Sequence, residues 1–140
     1  MEWIMSKLPK AKFPDISLQD FWVREMYPGF KYSRNTNSWT GVLHPSPTSA
    51  KYLVRLIYKI YDIPSVFVLK PTISDNPPHI FPDGSLCLYY SDDRSWSIYK
   101  NIADTIIPWT SEWLLFYEYW LATGKWLGPE APHTENKLRR

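Results

Sequence analysis

Residues 77–88, Pro77-Pro78-His79-Ile80-Phe81-Pro82-Asp83-Gly84-Ser85-Leu86-Cys87-Leu88, constrain the fold of this chain more than any other stretch. Its three prolines fix φ and remove backbone donors, so neither a helix nor an interior strand is expected through them. Phe81-Pro82-Asp83-Gly84 fits a type I turn: Pro82 supplies a φ of about −65° and Gly84 accepts a left-handed exit. The only cysteine, Cys87, follows directly, and one of three histidines, His79, precedes the turn. A free cysteine is most often a small buried hydrophobe. A thiol shown on a stiff, polar-flanked loop is also what nucleophilic chemistry needs. The residue by itself leaves both readings open.

The rest of the composition narrows the setting. One hundred and forty residues suit one domain, 1–140, with a core of its own. Aromatics reach 17%, with eight Trp, which points to a heavily packed core and some partner-facing aromatic surface. A net charge of +2 does not argue for nucleic acid, and Lys137-Leu138-Arg139-Arg140 reads as a solvated tail. One cysteine makes no internal disulfide, so nothing calls for an oxidising compartment. The start of the chain lacks a signal-peptide pattern. The most apolar run, Trp113 to Ala122, contains Glu118 and falls short of the roughly 20 residues of a membrane span. A cytoplasmic protein with no membrane contact is expected. Scattered histidines beside one cysteine offer no zinc cluster, and no Gly-rich phosphate loop is present, so no metal or cofactor is expected.

Along the chain, Pro9, Pro14 and interspersed lysines make residues 1–14 an irregular arm. Asp15 or Ser17 can cap a short helix whose Leu18, Phe21, Trp22 and Met26 form one apolar stripe, stopped by Pro28-Gly29. Three strands follow, Trp39–Leu43, Tyr52–Tyr58 and Ser65–Leu69, the last closed by Pro71; their short connections predict an antiparallel meander. His44, beside two prolines, reads as an inert loop residue. Ile98, Ile102 and Ile106 predict a helix against the sheet, ended by Pro108. A second helix is expected from Thr110 or Ser111, with Glu112 in its first turn, to Gly124. It is apolar almost all round, as a helix covering a sheet or shared with a partner would be. Most of residues 126–140 should lie irregularly on the surface. His133, in that tail, is expected to be exposed. The fold class expected is α+β.

The segment His79 to Leu88 resembles the active-site segment of ubiquitin-conjugating enzymes, in which a His-Pro-Asn motif precedes an extended stretch, an Asp-Gly turn and a Cys-Leu bearing the thioester. Cys87 falls on the catalytic cysteine and Asp83-Gly84 on the turn. The asparagine position is held by His79, in the order Pro-Pro-His. Tyr61-Asp62-Ile63-Pro64 looks like a reduced form of the family's connection between its second and third strands. Trp96 looks like the tryptophan beyond its cysteine, here without the proline that follows in the family. The likeness runs from about Trp39 to about Ile107. It implies an antiparallel meander with flanking helices and the active cysteine on a long loop after the third or fourth strand. The family's first helix is basic; here it carries Asp20, Arg24 and Glu25, which argues against docking to a standard activating enzyme.

A thiol titrates near about 8.5 in the absence of help. Asp83, Asp92 and Asp93 would push Cys87 upward, with Arg94 and His79 as counterweights. That setting suits an acyl carrier better than a cysteine protease, since an activated acyl group needs only transient thiolate. By the resemblance, His79 takes the asparagine's place: it either donates a ring N–H to the oxyanion or braces the loop. Asp92 or Asp93 would orient or deprotonate an incoming lysine. Pro-Pro-His, the missing basic helix and the Trp-rich last helix resemble more the conjugating-enzyme-like proteins of bacterial anti-phage CBASS operons. For those the resemblance implies a thioester between Cys87 and the C-terminus of a cyclic-nucleotide synthase (a CD-NTase), in place of a ubiquitin-like protein, priming the synthase or passing it to an acceptor. Whether the chain is an enzyme stays open at this point. The alternatives are a non-catalytic module of the same fold that binds and stabilises a partner protein, and a cysteine hydrolase using Cys87 with His79 or His133.

Overall fold

The computed structural model describes residues 14–60, 62–74, 76–88 and 96–129. Helix α1 (Ile16–Met26) is followed by strands β1 (Lys31–Ser33), β2 (Ser38–Leu43), β3 (Tyr52–Ile57) and β4 (Ser65–Lys70). A 3-10 turn at Ile102–Asp104 leads into helix α2 (Ile106–Thr123). The strands form one antiparallel sheet in the order β1-β2-β3-β4, the meander that their short connections predict. Together with the two helices it makes an α+β fold.

Alternation decides the sheet's buried face. Trp39 lies opposite Leu56, which lies opposite Val66, and all three are buried. On the other face Val42 and Arg55 are exposed. Gly41 faces the core because Phe30, just before β1, occupies the space a side chain would need: a Cβ there would collide with the Phe30 ring. Strand β1 was not expected. Its three residues are too few for a periodic signal, and it pairs with β2 through a turn in which Asn37 takes a left-handed φ of 50°. That asparagine is held on both sides, accepting from the Tyr32 hydroxyl at 2.6 Å and donating to the Tyr58 carbonyl at 3.2 Å.

Helix α1 turns its apolar stripe away from the core. Asp15 caps it, its carboxylate accepting from the Leu18 amide. The apolar stripe exists but faces outward: Leu18, Phe21, Trp22 and Met26 are 39–47% exposed, while Gln19 and Val23 are fully buried. Polar groups set this choice. Gln19 accepts from the Ile102 amide at 2.9 Å and donates to the Lys100 carbonyl at 3.1 Å, so one side chain satisfies two backbone groups near the 3-10 turn. Asp20 accepts from the Trp39 indole N–H at 2.9 Å, and its other oxygen pairs with Arg24.

The C-terminal helical region also differs from expectation. Ile98, Ile102 and Ile106 do not share a helix: a 3-10 turn at Ile102–Asp104 precedes α2, which starts at Ile106. Pro108 opens α2 where it was expected to end a helix. The first amides of a helix have no internal partner, so a residue without N–H is tolerated there. Thr110 and Ser111 are therefore interior residues and Glu112 lies beyond the first turn. Gly124 stops the helix as expected, with a φ of 78°. One face of α2, with Ile107, Trp113, Leu114 and Tyr117, is buried; Leu115, Tyr119 and Leu121 on other faces are exposed. After Gly124 the chain is irregular as far as it is described, with Leu127 exposed, but Trp126 packs against the core and Gly128 is buried. The arm 1–13, Tyr61 and residues 130–140, including His133, lie outside the described residues. Among the described residues no helix is long and apolar enough to cross a membrane.

Candidate active site

The proline-rich stretch closes into a small hairpin. Phe81 accepts from the Gly84 amide at 2.8 Å, closing the turn that Pro82-Asp83 predicts, and Gly84 exits at a φ of 92°. Ile80 and Leu86 then face each other as an antiparallel bridge, flanked by a Phe81 N–H bond to the Ser85 carbonyl and a Cys87 N–H bond to the His79 carbonyl, at 2.8 and 2.9 Å. Paired backbone bonds were not read from the sequence, because three prolines mask the strand signal. Ser85 tightens the turn: its amide and hydroxyl both donate to one Asp83 oxygen, at 2.9 and 2.6 Å. Those bonds hold the exposed Asp83 carboxyl below its ordinary range, with a smaller contribution from Lys59.

Three anchors fix the segment to the fold. The Leu86 amide donates to the Val66 carbonyl at 2.9 Å, tying the hairpin to β4. The Tyr117 hydroxyl of α2 accepts from the Ser74 amide at 2.8 Å. One turn earlier on α2, the Trp113 indole N–H donates to the His79 carbonyl at 3.0 Å. That carbonyl therefore takes two donors, Cys87 and Trp113. Trp113 and Tyr117 stack at 5.4 Å, forming a flat support beneath the loop.

Cys87 is half-buried, between Leu86 and Leu88, which are both buried. Its backbone is thus gripped by its neighbours while the residue keeps contact with the surface. His79 adopts a left-handed φ of 61°, and its ring lies 5.1 Å from that of Trp126. The two bonds to His79 are made by its main-chain carbonyl, whatever its side chain. The ring's part in the chemistry remains a proposal. Asp92, Asp93 and Arg94 lie outside the described residues. His44 is exposed, its ring nitrogen within 3.1 Å of the Ser49 carbonyl, away from any of these groups in sequence and in bonding.

Two clefts open on the surface. One of about 550 Å³ runs along the hairpin and is lined by Val68, Ile73, Asn76, Ile80, Phe81 and Gly84 among others. The other, of about 390 Å³, lies between the β3–β4 connection at Ile60 and Ile63 and the stretch Trp96–Ile98. Trp96 packs edge-on to Tyr58, a contact that no local pattern signals.

With this arrangement in view, a comparison with protein families returns a match over residues 19–134 to the family described as Type II CBASS E2 protein. The chain belongs to that family. The match includes both helices, apart from the start of α1, the whole sheet and the hairpin. No match was found among curated proteins. A CBASS E2-like role and a place in anti-phage defence follow from the family, as does working with protein partners of that system.

Proposed function

We propose that this CBASS E2 protein acts as an acyl carrier, with the Cys87 sulfur receiving the C-terminus of a partner CD-NTase as a thioester. The observation that carries the reading is the placement of the sole cysteine. It is half-buried on a hairpin whose backbone is bonded to β4 and α2, in a chain of a conjugating-type family. A sulfur sealed in the core would have favoured plain packing.

In the first step the Cys87 thiolate attacks the carbonyl carbon of an already activated C-terminus. A carbon–sulfur bond forms, the activating group leaves with its electron pair, and the thiol proton passes to solvent or a nearby base. In the second step an acceptor amine adds to the thioester carbonyl, loses a proton, and expels the Cys87 thiolate as the amide forms. The fold contributes chiefly by holding the partners in place. The 550 Å³ cleft beside the hairpin offers the incoming tail a surface of Val68, Ile73, Ile80 and Phe81 to lie on. His79 donates to the oxyanion or braces the loop, and Asp92 or Asp93 orients or deprotonates the acceptor amine.

Co-expression with the operon's synthase tests this. A hydroxylamine-sensitive, reductant-resistant adduct is expected with wild type and none with Cys87→Ala. Equal adduct in both would remove the proposal. A second reading is a non-catalytic module that binds its partner through surface aromatics, and the exposed Phe21 and Trp22 of α1 favour it. It predicts that Cys87→Ala retains both partner binding and phage protection.

A further inference from the structure

The chain leaving α2 turns back onto the hairpin that carries Cys87, and it does so through one side chain. The Trp126 ring lies 5.1 Å from the His79 ring, 5.4 Å from Trp113 and 5.9 Å from Phe116. It therefore closes over two residues that control Cys87. His79 supplies the carbonyl that takes the Cys87 amide, and Trp113 bonds that same carbonyl from below. His79 holds a φ of 61°, a left-handed conformation that is unfavourable for a non-glycine residue and persists only where the surroundings enforce it.

Two further observations give Trp126 this part. Its own indole N–H is buried without a hydrogen-bond partner. An orphan of that kind is a cost, so the ring is kept at this place for its packing and not for its donor. Gly128, two residues on, is buried against Phe116, and a Cβ there would collide with the Phe116 ring and approach the Trp126 nitrogen to 2.9 Å. The strap 126–128 is thus fitted closely to α2, with glycine where the fit is tightest.

We propose that Trp126 is a positioning residue for Cys87, acting through His79: packing of its ring on the imidazole holds His79 in the left-handed conformation that presents its carbonyl to the Cys87 amide. This rests on Cys87 as the reacting group. The C-terminal strap then sets how the sulfur is displayed, although it lies far from it in sequence.

The test uses the full chain and no partner. Cys87 is its only cysteine, so iodoacetamide reports on it alone. Wild type, Trp126→Phe, Trp126→Leu, Gly128→Ala and the exposed-strap control Leu127→Ala are compared, each with its circular dichroism and melting curve. Trp126→Leu and Gly128→Ala are expected to change the alkylation rate at pH about 8 by roughly threefold or more. They should also move the His79 ring and Cys87 amide resonances and speed hydrogen exchange at the Cys87 amide. Trp126→Phe, which keeps an aromatic face, and Leu127→Ala should stay near wild type. Wild-type alkylation and wild-type Cys87 exchange in either perturbing variant, with its circular dichroism intact, overturn the proposal. So does a Phe variant as impaired as the Leu variant. If one perturbing variant fails to fold, the other decides. Because no synthase is present, a wild-type chain that forms no CD-NTase adduct would defeat the carrier reading while leaving this result standing, and the reverse also holds.

Discussion

Asp83 shows how much a single turn residue can do. Its carboxylate accepts twice from Ser85, and those bonds lower its pKa by stabilising the ionised form. A carboxyl whose folded pKa is depressed adds stability that is complete above the unfolded value of about 3.9 and disappears as pH falls through the lowered folded value. Asp83→Asn should therefore be less stable than wild type at neutral pH, with the gap narrowing in acid; paired urea titrations across that range check it. Because the carboxyl is exposed, solvent screening keeps the effect small. Gly41 makes the opposite kind of point. It has an ordinary strand conformation, but Phe30 fills its missing side chain's place. Gly41→Ala should cost about 1–3 kcal/mol through overpacking, read from the denaturation midpoint. The turn at Pro82-Asp83-Gly84 was legible from sequence, because the φ demands of those residues are local. The crowding at Gly41 was not, because Phe30 lies eleven positions away and nothing in the strand pattern points to it.

At the level of elements, α1 and α2 owe their placement to polar bonds as much as to apolar faces. Gln19 holds the 3-10 turn by two bonds in a fully buried position. Gln19→Leu, close in volume, should cost about 1–3 kcal/mol, since the Ile102 amide is left buried without an acceptor. Glu25→Leu, at an exposed position, should be near neutral, and urea midpoints separate the two. Helix α2 serves as the platform of the candidate site. Tyr117→Phe removes the acceptor for the Ser74 amide, and Trp113→Phe removes a donor to His79. Each should cost about 1 kcal/mol in stability and loosen the loop before Cys87, measured as faster exchange of the Ser74, Asn76 and His79 amides. The meander and the Gly124 stop were legible from short turns between β-rich runs and from glycine. The outward turn of α1's apolar stripe was not, since a stripe says that one side is apolar and not that this side is the buried one.

Over the whole molecule, the chain divides into a sheet-and-helix body and a hairpin held against it. Cys87 sits in the hairpin and is half-buried, so Cys87→Ala should change stability by no more than about 1 kcal/mol while removing any adduct. A thermal melt alongside the adduct assay distinguishes loss of chemistry from loss of fold. Phe21 and Trp22 pack on each other at 5.1 Å on the exposed side of α1. Replacing both by Ser should leave the melting temperature nearly unchanged and weaken co-purification with a partner that uses this face. By itself the sequence determined the α+β class, the strands β2 to β4, the turn before Cys87 and the family resemblance, all of which depend on residues within a few positions of one another. Only the tertiary structure decided which face of α1 is buried, that Pro108 opens a helix, that Trp126 returns to the core, and that His79 gives Cys87 its backbone partner. The Gln19–Ile102 bond spans 83 positions and the Trp113–His79 bond 34. Bonds of that reach follow from which surfaces meet once the chain has closed, and no local pattern of residues encodes that meeting.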